Sequence, residues 1–125
     1  AGAELALHDA QVLDPQAFRW VYYAAHIALE QGNAERALDE LDAAAKLDPD
    51  YRALALRRGE ALLGLNRLDQ ARAAYRQVVD VPGLRAGALY GLGQIDLLQR
   101  DWQGAAERLG EVLALQPQAD QGVRV

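Results

Sequence analysis

The chain has 125 residues, the size of one domain, and its 13 basic and 18 acidic side chains give a net charge of −5 with no run of one sign long enough for a tail or a nucleic-acid surface. Cysteine, serine and threonine are absent and Lys46 is the only lysine, which excludes disulfides, thiolate metal sites and Ser/Thr phosphorylation and leaves nucleophilic catalysis to Lys46, a carboxylate, a tyrosine or a histidine. No stretch is long and apolar enough to span a bilayer, so direct membrane insertion is not expected.

In chain order, Ala3, Leu7 and Ala10 recur at helical spacing before Asp14-Pro15, a pair that breaks a helix because proline removes a donor and restricts the residue before it. The pattern then predicts helices near 18–31, 34–47, 52–65, 68–80, 86–99 and 102–115. Each carries an apolar stripe on one face, as in Val21, Ala24, Ala25 and Ala28, then Leu38, Leu41, Ala44 and Ala45, so each needs a neighbour. Gly32 and Asn66 suit the left-handed conformation that ends a helix, and Asn33 and Asp101 suit the cap of the one that follows. Arg100 occupies the place of Gly32 in the last of these turns, which should make that turn the least comfortable. Asp48-Pro49 ends another helix, residues 118–125 read as the run into a further unit, and no strand-like alternation occurs.

These elements repeat with a period of 34 residues. Ala37, Ala71 and Ala105 share one column; Leu41, Tyr75 and Leu109 share a second, and Ala44, Val78 and Val112 a third. Ala25, Gly59 and Gly93 supply a small residue in the first half of each unit, and Pro49, Gly83 and Pro117 close the second half. Extended backwards, the register places Ala3, Leu7, Ala10 and Pro15 in the same columns. A fixed period of this size means stacked supersecondary units, and alanine at 37, 71 and 105 fits close helix crossings that a larger side chain would force apart.

Gly59, Leu62, Ala71 and Tyr75 in the central unit, Gly93, Ala105, Leu109 and Pro117 in the third, and Gly32, Ala37 and Pro49 in the first carry a resemblance to the tetratricopeptide repeat. Arg58 and Asp96, where that family usually has apolar residues, and Ala25, in place of its usual glycine, depart from the pattern. The resemblance implies an all-α fold, a right-handed α-α superhelix of antiparallel helix pairs over a single domain. Residues 1–17 would be the second helix of a partial repeat, 18–51, 52–85 and 86–119 three full repeats, and 120–125 the start of a further helix.

It further implies a non-catalytic scaffold without cofactor, whose first helices line a concave groove for a partner peptide or helix. Carried over, the groove residues are Arg19, Tyr22, His26, Leu29 and Glu30, then Leu56, Arg57, Glu60 and Leu63, then Tyr90, Gln94, Leu97 and Leu98. A clamp for an acidic tail is not expected, since Tyr22, His26, Arg57, Gly87 and Gly91 stand where such clamps need lysine, asparagine and arginine. The alternative is a structural spacer or assembly element that stacks or self-associates through uncapped repeat ends.

Other constellations have plainer readings. Gly91-Leu92-Gly93 lacks the third glycine and the preceding strand of a dinucleotide fingerprint and reads as close helix packing. His8 and His26 lack metal-ligand spacing, and Asp39, Glu40 and Asp42 spread around a helix exterior as a solvated face. Trp20, Tyr22 and Tyr23 are core filling or recognition surface, but helical spacing cannot put all three on one side. Arg58 and Asp96 either pair with each other across the interface of the second and third repeats or turn separately to solvent. The arginine-rich, lysine-poor composition looks like that of a GC-rich bacterial genome, which leaves localisation open between cytoplasm and periplasm.

Overall fold

The computed structural model describes residues 15–115. They form six helices: α1 (Pro15–Glu30), α2 (Ala34–Leu47), α3 (Ala53–Gly64), α4 (Leu68–Arg76), α5 (Arg85–Leu98) and α6 (Trp102–Leu115), and the described residues include no strand. Each odd-numbered helix packs on the even-numbered one after it, each pair packs on the next, and α3 also touches α1 and α5. The half repeat expected ahead of α1, His8, and the further helix expected from 120 fall on residues outside those described.

One turn design joins the helices within every pair. The backbone N–H of Asn33 donates to Ala28 C=O at 2.8 Å, that of Arg67 to Leu62 C=O at 2.9 Å, and that of Asp101 to Asp96 C=O at 2.8 Å. Each closes a Schellman motif, which needs a left-handed residue just before the donor. Gly32, Asn66 and Arg100 supply it, with φ of 75°, 60° and 61°. Only glycine takes this conformation freely, so the Arg100 turn carries strain that the Gly32 turn does not. Asn33 Oδ1 then accepts from Arg36 N–H at 3.3 Å and Asp101 Oδ1 from Gly104 N–H at 3.0 Å, so both act as caps.

Two helices depart from the expected bounds by more than one residue. α1 opens at Pro15 rather than 18, since proline's fixed φ and missing N–H suit the first helical position. α4 stops at Arg76 rather than 80. Beyond it the chain tightens into three-residue bonds, Gln77 N–H to Ala74 C=O and Val78 N–H to Tyr75 C=O. The valines at 78, 79 and 81 are poor helix formers, Pro82 disfavours helical geometry at Val81, and Gly83 turns the chain at φ 87°.

The core is a run of small and apolar columns between the helices. Ala37 and Ala71 are fully buried and Ala105 is 2% exposed, as close crossings require. Leu41, Ala44, Ala25 and Leu54 form one cluster; Ala28, Ala37 and Ala61 a second; Tyr75, Ala71, Ala74, Val78, Leu56, Leu62, Ala88, Leu92 and Ile95 the largest. The glycines of α5 serve this packing: a methyl group on Gly91 would lie 2.2 Å from Tyr75 Cζ, and one on Gly93 would lie 2.9 Å from Leu109 Cδ2.

Arg58 and Asp96 do not pair, and Asp96 does not turn to solvent. Arg58 Nη1 lies 2.9 Å from Asp42 Oδ1 on the neighbouring helix α2, and Asp96, only 4% exposed, binds Arg108 Nη1 at 2.5 Å within its own helix pair. A charge on a buried helix face takes the cation nearest to it, and α6 offers one.

Candidate functional site

On the face built by α1, α3 and α5, a side-chain hydrogen bond joins two repeats. Tyr22 of α1 stacks on Phe18, with ring centroids 5.7 Å apart, and meets the edge of Tyr51 at 5.3 Å; Phe18 and Tyr51 are themselves 4.9 Å apart. This cluster fixes the Tyr22 ring, and its hydroxyl accepts from Arg57 Nε of α3 at 3.2 Å. Arg57 Nη1 in turn donates to Glu60 Oε1 at 2.9 Å, one turn along α3.

Burial lowers the pKa of the Arg57 guanidinium, but its hydrogen bond to the Tyr22 hydroxyl and the attraction of Glu60 outweigh it and hold that pKa above its ordinary value. The positive charge is therefore fixed and internally balanced. Beneath the face, the Tyr75 ring of α4 passes between α3 and α5, where a methyl group on Gly59 or Gly91 would overlap it. Its phenol is pushed well above its ordinary value, first by burial and then by the Glu60 carboxylate, against a smaller opposing effect of Arg57.

The expected groove residues divide into three groups. Tyr22, Arg57 and Glu60 are joined in one network, and His26 Nε2 sits 3.1 Å from Glu30 Oε1. Leu29, Leu63 and Gln94 are half-buried, while Arg19, Tyr90, Leu97 and Leu98 are exposed. Leu56 differs from the rest, because it is buried in the central core against Gly87, where a methyl group would come within 3.2 Å of its Cδ2. Phe18, Tyr51 and Tyr75 are supports of the site that a register taken from the first helices misses; Tyr51 lies between helices and Tyr75 on a second helix. The facing glycines at 59 and 91 were the signal for Tyr75. Of the aromatic trio, Tyr22 joins this cluster while Trp20 and Tyr23 stand 71% and 57% exposed.

Among the described residues there is no group of three histidine, aspartate or glutamate side chains that could hold a metal ion, and no helix long and apolar enough to cross a membrane. Asp42 pairs with Arg58, and Glu40 lies 3.9 Å from Arg36, so these two carboxylates of α2 sit in surface ion pairs.

Three helix pairs of one turn design, stacked through alanine and glycine columns, define a helical-repeat protein. A tetratricopeptide-repeat family model matches residues 1–52 and 56–121, and a second such model matches residues 28–83; the chain belongs to the tetratricopeptide repeat family. Repeats of this family are generally protein–protein interaction modules and typically non-catalytic scaffolds. No match was found among curated proteins.

Proposed function

We propose that the chain binds a peptide or helix of a partner protein on the face of α1, α3 and α5, without a chemical step. The observation that carries this reading is the Tyr22–Arg57–Glu60 network, which spans two repeats on a face flanked by Tyr90, Leu97 and Leu98, the first 52% exposed and the others 43% and 59%. A tyrosine held by neighbouring rings offers large contact area at small entropic cost, and such residues dominate binding energy. Selection of a displayed peptide library on the intact chain tests the reading. Peptides so obtained should bind the Tyr22→Ala/Tyr90→Ala double variant at least about tenfold more weakly. Undiminished binding would place their contact elsewhere and refute the proposal.

An assembly role draws on a different observation, the exposure of Leu113 and Leu115 on α6, at 75% and 48%. Light scattering across a range of concentrations separates the two: a mass that rises with concentration and reverts in Leu113→Glu supports assembly, and a constant monomer mass removes it.

A further inference from the structure

The repeat places Leu41, Tyr75 and Leu109 at one position of the second helices, and of the three only Tyr75 carries a polar side-chain atom. Packing alone does not ask for that atom, since Leu41 fills the same position in the first pair and is fully buried. The Tyr75 ring runs from α4 between Gly59 and Gly91, and its far end lies closest to Gly91, where an added methyl would meet Cζ before Cε1 or Cε2. The hydroxyl on Cζ is therefore carried to the seam between α3 and α5. Glu60 and Arg57 both act on its charge, so it comes up beside them on the face described above. The 34-residue shift equates Arg57 with Gly91, so α5 sets no side chain where α3 sets a guanidinium. The phenol has no hydrogen-bond partner among the described residues, yet it is not sealed, because none of their buried side-chain nitrogens or oxygens lacks a partner. Tyr75 is 1% exposed, so its hydroxyl meets solvent through a small opening in the floor of the face. A polar atom held in an interior position without an internal partner is a cost that leucine would not carry.

We propose that Tyr75 is a specificity residue of the peptide site, its hydroxyl donating a hydrogen bond to a main-chain carbonyl of a non-helical partner segment; this rests on the binding reading above. The surroundings select the acceptor. Burial and Glu60 hold the proton on the phenol, so at neutral pH it is available as a donor. The same carboxylate repels an anion, and the Arg57 charge that could offset it is already bonded to Tyr22 and Glu60. A carboxylate or a phosphate is therefore disfavoured at this point, which leaves a neutral carbonyl. Every residue of a peptide supplies one on its main chain. In a helix those carbonyls are taken by the helix's own N–H groups, so the segment over Tyr75 is extended or irregular.

The probe is a peptide selected from the displayed library on the intact chain. Tyr75→Phe keeps the ring and should bind it about three- to tenfold more weakly, the worth of one neutral hydrogen bond, at low and high salt alike. Urea denaturation at neutral pH should find Tyr75→Phe no less stable than the parent; a clear loss would mean that the hydroxyl has a partner inside the fold and would overturn the proposal. Amide-to-ester replacement along the peptide should reveal one linkage whose change weakens binding to the parent and not to Tyr75→Phe, as a shared hydrogen bond requires. The Tyr75 Cζ resonance, assigned by its disappearance in Tyr75→Phe, should move when the peptide saturates the chain. Equal affinity of parent and Tyr75→Phe, with Tyr22→Ala/Tyr90→Ala weakened, would overturn this inference and leave the binding face standing. A loss confined to low salt would also overturn it, because the contact would then be ionic. If Tyr22→Ala/Tyr90→Ala binds undiminished, the binding reading itself fails and this inference with it.

Discussion

The ring of Tyr75 lies over Gly91 so closely that a single methyl group on that glycine would sit 2.2 Å from Cζ, and Gly59 holds the opposite approach at 2.8 Å from Cε1. Tyr75 is 1% exposed and cannot retreat, because Gly59 and Gly91 confine it from two helices. Gly91→Ala should therefore destabilise the chain by about 2 kcal/mol, the overpacking cost exceeding the helix-propensity gain of replacing glycine. Gly110→Ala is the control. It lies inside α6 with nothing within 4 Å of the added methyl, so the propensity gain stands alone and stability should rise by about 0.5–1 kcal/mol. Urea denaturation of the two variants checks both signs.

Much of this packing could be read from the period. Ala37, Ala71 and Ala105, the three helix ends at Gly32, Asn66 and Arg100, and the caps at Asn33 and Asp101 stand where backbone geometry admits few residue types, so their spacing alone located them. α2 and α6 have the expected bounds for the same reason. Side chains that choose between neighbours were not legible. Asp96 turned to Arg108, twelve residues away in sequence but on the facing helix, and Leu56 sank into the room left by Gly87 instead of facing a partner. A period fixes which helix lies next to which, whereas the partner of a long side chain depends on distances of an ångström or two that no column records.

The Arg100 turn should be improvable. With φ at 61°, Arg100 pays the left-handed penalty that Gly32 avoids in the equivalent turn. Arg100→Gly should raise stability by about 0.5–1 kcal/mol after the greater freedom of glycine in the unfolded chain is deducted, and Gly32→Ala should lower it by about 1 kcal/mol. Thermal melts of the two variants beside the parent chain read opposite shifts, and a fall in melting temperature for Arg100→Gly would show that the arginine is held by contacts worth more than its strain.

The ion pairs made by Asp96 and by Arg58 should differ sharply. Asp96 has a side chain 6% exposed against 30% for Arg108, so removing the arginine leaves a carboxylate with little water. Arg108→Leu should cost about 2–3 kcal/mol, below the full value for a completely buried pair because Arg108 reaches solvent. Asp96→Leu together with Arg108→Leu should recover part of that loss. The Asp42–Arg58 pair, with side chains 57% and 37% exposed, should contribute less than about 1 kcal/mol in a double-mutant cycle.

Tyr75 also sets a limit on alkaline stability. Its ordinary pKa is 10.0, and burial together with Glu60 raises the folded-state value well above that. Above pH 10 the unfolded chain therefore loses the Tyr75 proton while the folded chain keeps it. The unfolded state then binds fewer protons, so stability present at neutral pH declines as the pH rises from about 10 toward the folded-state pKa. Tyr75→Phe keeps the ring between Gly59 and Gly91 and removes the titration. In paired urea titrations between pH 9 and 12, the parent should lose stability more steeply than Tyr75→Phe; parallel curves would mean that the phenol ionises as easily in the fold as in the open chain.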